Sequence, residues 1–485
     1  MQKKFKKFGK KPLTSGKTKK IWAVVQRPDV VIMESTDETT ADNDASKTRS
    51  LEKKAICATQ TTSRIFELLE EAGIRTAYVE QLSETEILAK NCTMIPLEVI
   101  IRRFATGSYL ERMPHLAKPG NPDRFHKLVF EIFLKTKGGK LGDMDLREYL
   151  PKDKEELIKY LNVKKSLKEI NEKRVEKKLP EITKLMELSI EELVEEAIKI
   201  IDDPWIENPK DISKWALRHP KKPIWEITPL TIMDGSTITN PDMLVKIEEI
   251  TRKTFLVLEG AWNTLGHRLI DFKIEFGIDT AGNLVVADVI DNDSWRLRRA
   301  DWKDVSKQTF REGHPLKDVQ ENYMHVAAMA DQLGIPKQPI ILWRGSPNDK
   351  LECFADEKFL KAIPASIIIE DVVISGHKKP VKAAKKLNEL HAKYPEGAVI
   401  IAIVGMSNGL GPTLSARTAW PVLSYCNTAE THPEDIWSSL RMPSEVPNAT
   451  FMNLKDAYMF ALDIFTQKSP AAYMARQFAI EELDD

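Results

Sequence analysis

Hydrophobic and polar positions follow different periods in different parts of the chain. From Lys19 to Ser35 two β-prone runs, KKIWAVV and VVIMES, flank a polar turn and predict an antiparallel pair. A helix is predicted next. Ile65, Leu68, Leu69 and Ala72 share one helical face, and Gly73 followed by Ile74 supplies a stop with its apolar contact. Between about Lys137 and Ile201 the chain is dense in Lys and Glu and poor in aromatics. Ser189 and Glu192 form a capping box there, and Ile190, Leu193, Val194, Ala197, Ile198 and Ile201 recur on one face. This stretch, about 138–201, reads as a peripheral helical insert with a solvated charged face.

Beyond Thr251 the run HRLIDFKIEFGIDTAGNLVVADVIDNDSWR predicts a hairpin that turns near Thr280–Asn283. Alternation puts Asp271, Lys273 and Glu275 on one face and Ile270, Phe272, Ile274 and Phe276 on the other, with Asp288 on the returning strand within reach of Glu275. GIPKQP (Gly334–Pro339) has linker composition. Past it, PIILW, ASIIIEDVVI and GAVIIAIVG are β-branched runs of the kind that form parallel strands buried on both faces. They end in Arg344-Gly345-Ser346, Ser375-Gly376-His377 and Gly405-Met406-Ser407-Asn408-Gly409, and in open α/β sheets the ligand crevice lies at the carboxyl ends of the strands. The chain thus reads as two domains, an antiparallel α+β one at 1–330 and a parallel α/β one at 339–485, with a linker at 331–338. No internal repeat is apparent.

A length of 485 residues accords with two or three domains at roughly 100–200 residues each. With 42% hydrophobic and 30% charged residues, wholesale disorder is excluded. Lys plus Arg and Asp plus Glu both number 72, so no positive whole-protein field favours nucleic acid or an acidic membrane. Cys57, Cys92, Cys353 and Cys426 are far apart and form no CxxC pair, which argues against a disulfide framework or a zinc site. The lysine-rich start has no apolar core for a secretory signal and reads as a solvated end. The longest apolar run, near Ala398–Val404, is far short of the roughly 20 residues that span a bilayer. A soluble, cytoplasmic protein is expected.

Several groups of residues carry candidate chemistry. Gly16-Lys17-Thr18-Lys19 resembles the end of a phosphate loop, but Lys11 stands where the first glycine of GxxxxGK[ST] belongs, and a basic surface turn explains it equally well. Asp271, Lys273, Glu275 and Asp288 suit magnesium with nucleotide phosphates; the same pattern fits a cross-strand salt-bridge ladder. Arg296, in DNDSWR, could grip a phosphate in bidentate fashion. Glu98, Arg102 and Ala105-Thr106-Gly107-Ser108 join a charged fork to a tight turn whose backbone donors suit a phosphate ester, or form an ordinary strand exit. In the second domain, GMSNGLGP, Gly345-Ser346 and His377 meet at predicted strand ends, a pocket with one titratable group.

GKTK, the DxxTA stretch at Asp37–Ala41, IPLEVIIRRFATGS, DFKIEFG and ADVIDNDSWR resemble SAICAR synthetase in content and order. Gly345-Ser346, SGHKKP, GMSNGLGPTLSARTAWPV and DIWSSLRMP resemble class II aminoimidazole ribonucleotide (AIR) carboxylase, and the whole is similar to the animal-type bifunctional fusion of the two. The resemblance implies a first domain related to ATP-grasp folds and a flavodoxin-like three-layer second domain. It implies carboxylation of AIR by CO2 to carboxyaminoimidazole ribonucleotide (CAIR), without ATP or biotin. Condensation of CAIR with L-aspartate would follow, driven by Mg-ATP through an acyl phosphate. On matching positions Lys17, Lys19 and Glu98 would bind ATP, and Glu275 and Asp288 would hold Mg2+. Arg102, Ser108, Lys273, Asp293 and Arg296 would bind CAIR, His377 would move protons at the imidazole carbon, and Ser346, Asp349, Ser407 and Asn408 would line the ribonucleotide site. A homo-octamer joined through the second domain is also implied. The chain departs from the family pattern at Thr36, Asp42 and Arg298, and reads Gly345-Ser346-Pro347-Asn348-Asp349 for the usual GSxSD and Ser375-Gly376-His377-Lys378-Lys379-Pro380 for SAHKGP. Two alternatives follow: a paralogue with one decayed site serving as scaffold or regulator, argued from Asp42 and Pro347, and a nucleic-acid binder using the basic start, against which the neutral net charge weighs.

Overall fold

The computed structural model describes residues 5–16, 18–40, 48–161, 166–199, 201–226, 228–232 and 234–484. The chain forms two compact units, one from most of the first 332 residues and the other from Leu333–Asp485 with two short pieces, Leu68–Gly73 and Leu256–Leu265.

The first unit is built on two antiparallel sheets. In the six-stranded sheet, Lys19–Val24 pairs with Arg27–Ser35 as the sequence predicts, with Lys19 opposite Ser35 and Ile21 opposite Met33. Val24, Val30, Ile32 and Leu88 form its apolar face. The predicted helix runs from Lys54 to Glu71. Ile65, Leu68 and Leu69 are buried, and Gly73 at φ +84° ends it ahead of buried Ile74. The nine-stranded sheet runs Leu230–Ile232, Trp215–Arg218, Trp205–Glu207, Arg124–Leu134, Leu97–Phe104, His267–Asp279 and Leu284–Ala287; Trp295–Arg299 and Cys92–Met94 also pair with His267–Asp279.

The helical reading of the insert holds from Lys154 onward, with helices Lys154–Leu161, Ser166–Glu176 and Ile190–Ile198; before them lies a small hairpin of Lys140–Leu141 and Met144–Asp145. The capping box forms, Glu192 N–H donating to Ser189 Oγ (3.1 Å) and Ser189 N–H to Glu192 Oε2 (2.9 Å). Leu193, Ala197, Ile198 and Ile201 are buried, whereas Ile190, in the opening turn, stays 45% exposed and is not part of the face. The chain then returns to the sheet as Trp205–Glu207, Trp215–Arg218 and Leu230–Ile232, three strands too short for the sequence pattern to reveal.

The second unit has five parallel strands ordered Ile367–Val373, Gln338–Arg344, Val399–Val404, Val422–Cys426 and Ala449–Phe451. In chain order that is 2-1-3-4-5, the flavodoxin-like arrangement. Three strands are the predicted ones; the last two are shorter. Alternation in the central strands builds three layers. Ile340, Leu342, Ile401 and Ile403 pack with Leu454, Tyr458 and Leu462 of one helix. Ile341, Trp343, Ile400 and Ala402 pack with Ala383, Leu387 and Leu390 of another. Ile367–Val373 departs from the expectation of burial on both faces: as an edge strand it exposes Asp371 and Val373. Arg344 pairs with that Asp371, and Glu370 accepts from Lys393 and the Tyr394 hydroxyl (both 2.7 Å).

Candidate active sites

The first site grows from the 13-residue strand His267–Asp279. Its apolar residues Ile270, Phe272, Ile274 and Phe276 are at most 1% exposed, so Asp271, Lys273 and Glu275 must share the opposite face. Register does the rest. Arg102 stands opposite Asp271 on one side and Arg296 on the other, while Ile100 opposes Lys273. The Lys273 ammonium donates to Glu98 (3.0 Å), and Glu275 accepts from Lys135 (2.7 Å). The returning strand ends at Ala287, opposite Glu275. Asp288 therefore lies one residue past the strand rather than on it; at φ 65° it turns out of the ladder and pairs with Lys19. Burial pushes Lys19 down to about 8, against the pull of Glu275 and Asp291 and with that of Lys273 and Lys135. Lys17 and Asp42 lie outside the described residues.

Among the described residues no three His, Cys, Asp or Glu side chains converge into a metal cage. Glu275 and Asp288, one ladder step apart and each balanced by a lysine, still fit Mg2+, which is commonly held by one or two carboxylates together with substrate phosphates.

At the other end of the charged face lies a corner crowded with guanidinium groups. Arg102 is 1% exposed, and its Nε donates to Glu131 (2.5 Å) and its Nη1 to Asp271 (2.7 Å) and the Thr106 carbonyl (3.3 Å). Its Nη2 reaches Ser108 Oγ (3.1 Å). Arg296 also donates to Asp271 (2.6 Å), and Arg112 pairs with Glu131. Three guanidinium groups thus face two carboxylates, leaving one positive charge over. Gly107 is at φ +57°, backbone that favours glycine, and a Cβ there would lie 2.3 Å from Arg296 Nη2, so any side chain would displace the guanidinium from its present place. Thr106, Gly107, Lys118, Arg296, Arg298 and the carboxylate-bearing Glu312 line a hollow of about 240 Å³.

Asp293 does not open toward this corner. Its carboxylate accepts from Tyr323, Lys307 (3.0 Å) and Lys54 (3.3 Å). Burial would raise it, but the two ammonium groups override that and hold it well below the usual carboxylate range. Lys54, Lys307 and Tyr323 are residues that sequence reasoning missed. Only position could have flagged Lys54, the first residue of a helix whose second N–H, that of Ala55, donates to Asp37 of the DxxTA stretch (2.9 Å).

The second site lies where the order of parallel strands reverses, between Gln338–Arg344 and Val399–Val404. Asp349 accepts from the Ser346 N–H (2.8 Å) and from Asn427 Nδ2 (3.1 Å), fixing one loop. The loops after Ile367–Val373 and Val399–Val404 touch. A Cβ on Gly376 would meet Leu410 Cα at 2.7 Å, and one on Gly409 would meet His377 Nε2 at 2.1 Å. His377 and Ser407 are exposed at this end, as the sequence predicts. Asn408 differs. Its amide is buried, donating to Ser424 (2.8 Å) on the strand Val422–Cys426 and to Ser439 (3.0 Å) and accepting from the Gly411 N–H (2.7 Å), so it ties the rim to the neighbouring strand.

A family model described as SAICAR synthetase matches residues 12–183 and 226–330, and one described as AIR carboxylase matches 340–479. The chain is 32% identical to a Rattus norvegicus protein named bifunctional phosphoribosylaminoimidazole carboxylase/phosphoribosylaminoimidazole succinocarboxamide synthetase, over 93% of this chain and 89% of the rat protein. It is 31% identical to the Gallus gallus multifunctional protein ADE2, over 95% of this chain and 90% of the chicken protein. The identity to the Homo sapiens bifunctional protein is also 31%, with 94% and 90% covered.

Proposed function

The chain belongs to the SAICAR synthetase family, with an AIR carboxylase domain behind it, and from that premise we propose how its residues divide the work. It is a bifunctional enzyme of purine biosynthesis, a lyase that carboxylates AIR to CAIR and a ligase that condenses CAIR with L-aspartate to SAICAR. The observation that carries the reading of the ligase site is the surplus positive charge of Arg102, Arg112 and Arg296 over Glu131 and Asp271, set beside the Gly107-Ser108 turn. A phosphate monoester of a ribonucleotide answers that charge.

ATP binds along the other end of the same strand, its phosphates against Lys17 and Lys19 and its nucleoside near Glu98. Glu275 and Asp288 would hold Mg2+, which when bound would supply charge neutralisation at the nucleotide phosphates. A CAIR carboxylate oxygen attacks that phosphorus and ADP leaves, giving an acyl phosphate. The aspartate amine then forms the amide as phosphate departs. Lys273 sits between the two ends and steadies the developing negative charge. Asp293 acts indirectly, by fixing Lys54, Lys307 and Tyr323. In the lyase site the imidazole carbon of AIR attacks CO2, and His377 takes the proton that this carbon sheds; Ser346, Asp349 and Ser407 hold the ribonucleotide. No biotin takes part. The protein works in the cytoplasm as a homo-octamer joined through its carboxylase half, which sedimentation of the purified chain checks.

One assay tests the whole reading: SAICAR production from AIR, bicarbonate, ATP, Mg2+ and aspartate, repeated from CAIR. Activity from CAIR alone would remove the carboxylase half of the proposal, and activity from neither would remove both.

Gly107→Ala tests the phosphate corner. A methyl group at φ +57° and 2.3 Å from Arg296 must push that guanidinium off Asp271. The KM for CAIR is expected to rise by about 10–100-fold, the value of one to two charge-assisted hydrogen bonds. AIR carboxylation should continue. An unchanged KM in the folded variant would place the phosphate elsewhere.

A further inference from the structure

The SAICAR synthetase model passes over residues 184–225, yet this segment returns to the sheet beside the charged face. Trp205 pairs with Phe133, and the Leu134 N–H donates to the Pro204 carbonyl (3.0 Å). The next residue of that strand's exit is Lys135, whose ammonium holds Glu275 (2.7 Å), and after it comes Thr136. Thr136 is gripped through both its backbone and its side chain. Its hydroxyl donates to Asp202 Oδ1 (2.9 Å) and accepts from the Asp203 N–H (2.7 Å), and its own N–H donates to Asp203 Oδ1 (2.9 Å). Asp202 Oδ1 also accepts from the Gly138 N–H (3.0 Å). Asp203 adopts φ 48°, left-handed backbone that a non-glycine residue keeps only when its surroundings enforce it.

Lys135 is 44% exposed on a flexible stem, and an ion pair that open to water cannot by itself fix the side chain. Its geometry has to come from the backbone that carries it. We infer that Asp202 and Asp203 are positioning residues of the ATP site, acting through Thr136 to hold the backbone from which Lys135 reaches Glu275. A segment outside the family model thereby completes the nucleotide-binding face. The inference rests on the reading of Lys19 and Glu275 as parts of that face.

The test uses the full chain. Thr136→Val keeps shape and removes the hydroxyl, Thr136→Ser restores it, Asp202→Asn removes the charge, and Lys19→Ala serves as the reference. Calorimetric binding of a non-hydrolysable ATP analogue with Mg2+ is measured beside KM for ATP, kcat from CAIR, AIR carboxylation and melting temperature. Thr136→Val and Asp202→Asn are expected to weaken analogue binding and raise KM for ATP by about tenfold, the scale of a lost hydrogen bond to a charged group. At saturating ATP, kcat is held, and Thr136→Ser binds as the parent does. Parental binding in both clamp variants while Lys19→Ala loses affinity would overturn the inference and leave the site standing. So would a fall in melting temperature and kcat with KM unmoved. Parental binding in Lys19→Ala as well would remove the site reading itself.

Discussion

Glu275→Gln is expected to lower SAICAR formation from CAIR by about 10²–10⁴-fold while AIR carboxylation proceeds at the parental rate. The substitution is nearly isosteric, and its neighbours Ile274 and Phe276, each 1% exposed, point the other way into the core, so the strand keeps its packing. A glutamine carbonyl can still accept from Lys135, as Glu275 does at 2.7 Å. What disappears is the negative charge. A carboxylate shared with Asp288 and the nucleotide phosphates is the usual means of holding Mg2+, and a neutral amide is a poor replacement. A second effect runs the same way. The Glu275 charge favours protonated Lys19, which burial already pushes down to about 8; without that charge Lys19 titrates lower still and grips phosphate less well near neutral pH. Both kcat and KM for ATP therefore worsen. Rates from CAIR and from AIR, with melting temperature on the same preparation, decide the matter. A folded variant making SAICAR at the parental rate would leave the charged face as a salt-bridge ladder and nothing more.

Much of this face was legible because strand alternation is a strong constraint. Four core residues at period two leave Asp271, Lys273 and Glu275 nowhere else to point. The same holds for Gln338–Arg344 and Val399–Val404, whose unbroken apolar runs need cover on both sides. Where pattern was thin the reading failed. Trp205–Glu207 and Leu230–Ile232 span three residues each, too few for any period to emerge; the first is a strand through its pairing with Arg124–Leu134 and the second through its pairing with Trp215–Arg218. Asp293 illustrates a different limit. Its motif was plain, but its partners Lys54, Lys307 and Tyr323 come from other elements, and nothing local distinguishes Lys54 from the many lysines around it. Asn408 shows a related limit: a polar residue in a glycine-rich loop suits a ligand or the fold itself equally well, and its buried bonds to Ser424 and Ser439 come from elements that the loop's own pattern does not reveal.

The glycines of the two sites carry a common lesson about motifs. Gly107 and Gly409 each lie against one proposed functional side chain, Arg296 in the first case and His377 in the second, and a methyl group 2.3 Å and 2.1 Å from them would make those side chains move. The loop residue and the charged or titratable residue are therefore one geometric unit, although they sit far apart in sequence. The chemistry assigned to either arginine or histidine depends on backbone that approaches without a side chain.

His377→Asn should reduce AIR carboxylation by about 10²–10⁴-fold, the loss that follows removal of a positioned acid–base group. Forming the new carbon–carbon bond leaves the attacked imidazole carbon with a proton that has to depart, and among side chains histidine is the one suited to take it up near neutral pH. His377 stands at the exit of Ile367–Val373, beside the reversal point of the sheet, with its ring held over Gly409. Asparagine keeps similar reach and some hydrogen bonding but has no proton to exchange. A companion substitution, Gly409→Ala, leaves the imidazole in place chemically and moves it physically, since the added methyl occupies the space of Nε2. Carboxylation should fall in both variants, and SAICAR formation from supplied CAIR should be parental in both. A histidine that merely fixes its loop predicts a different outcome, a lower melting temperature with a modest kinetic loss. Near-normal carboxylation in a folded His377→Asn protein would end the catalytic assignment, whatever Gly409→Ala does.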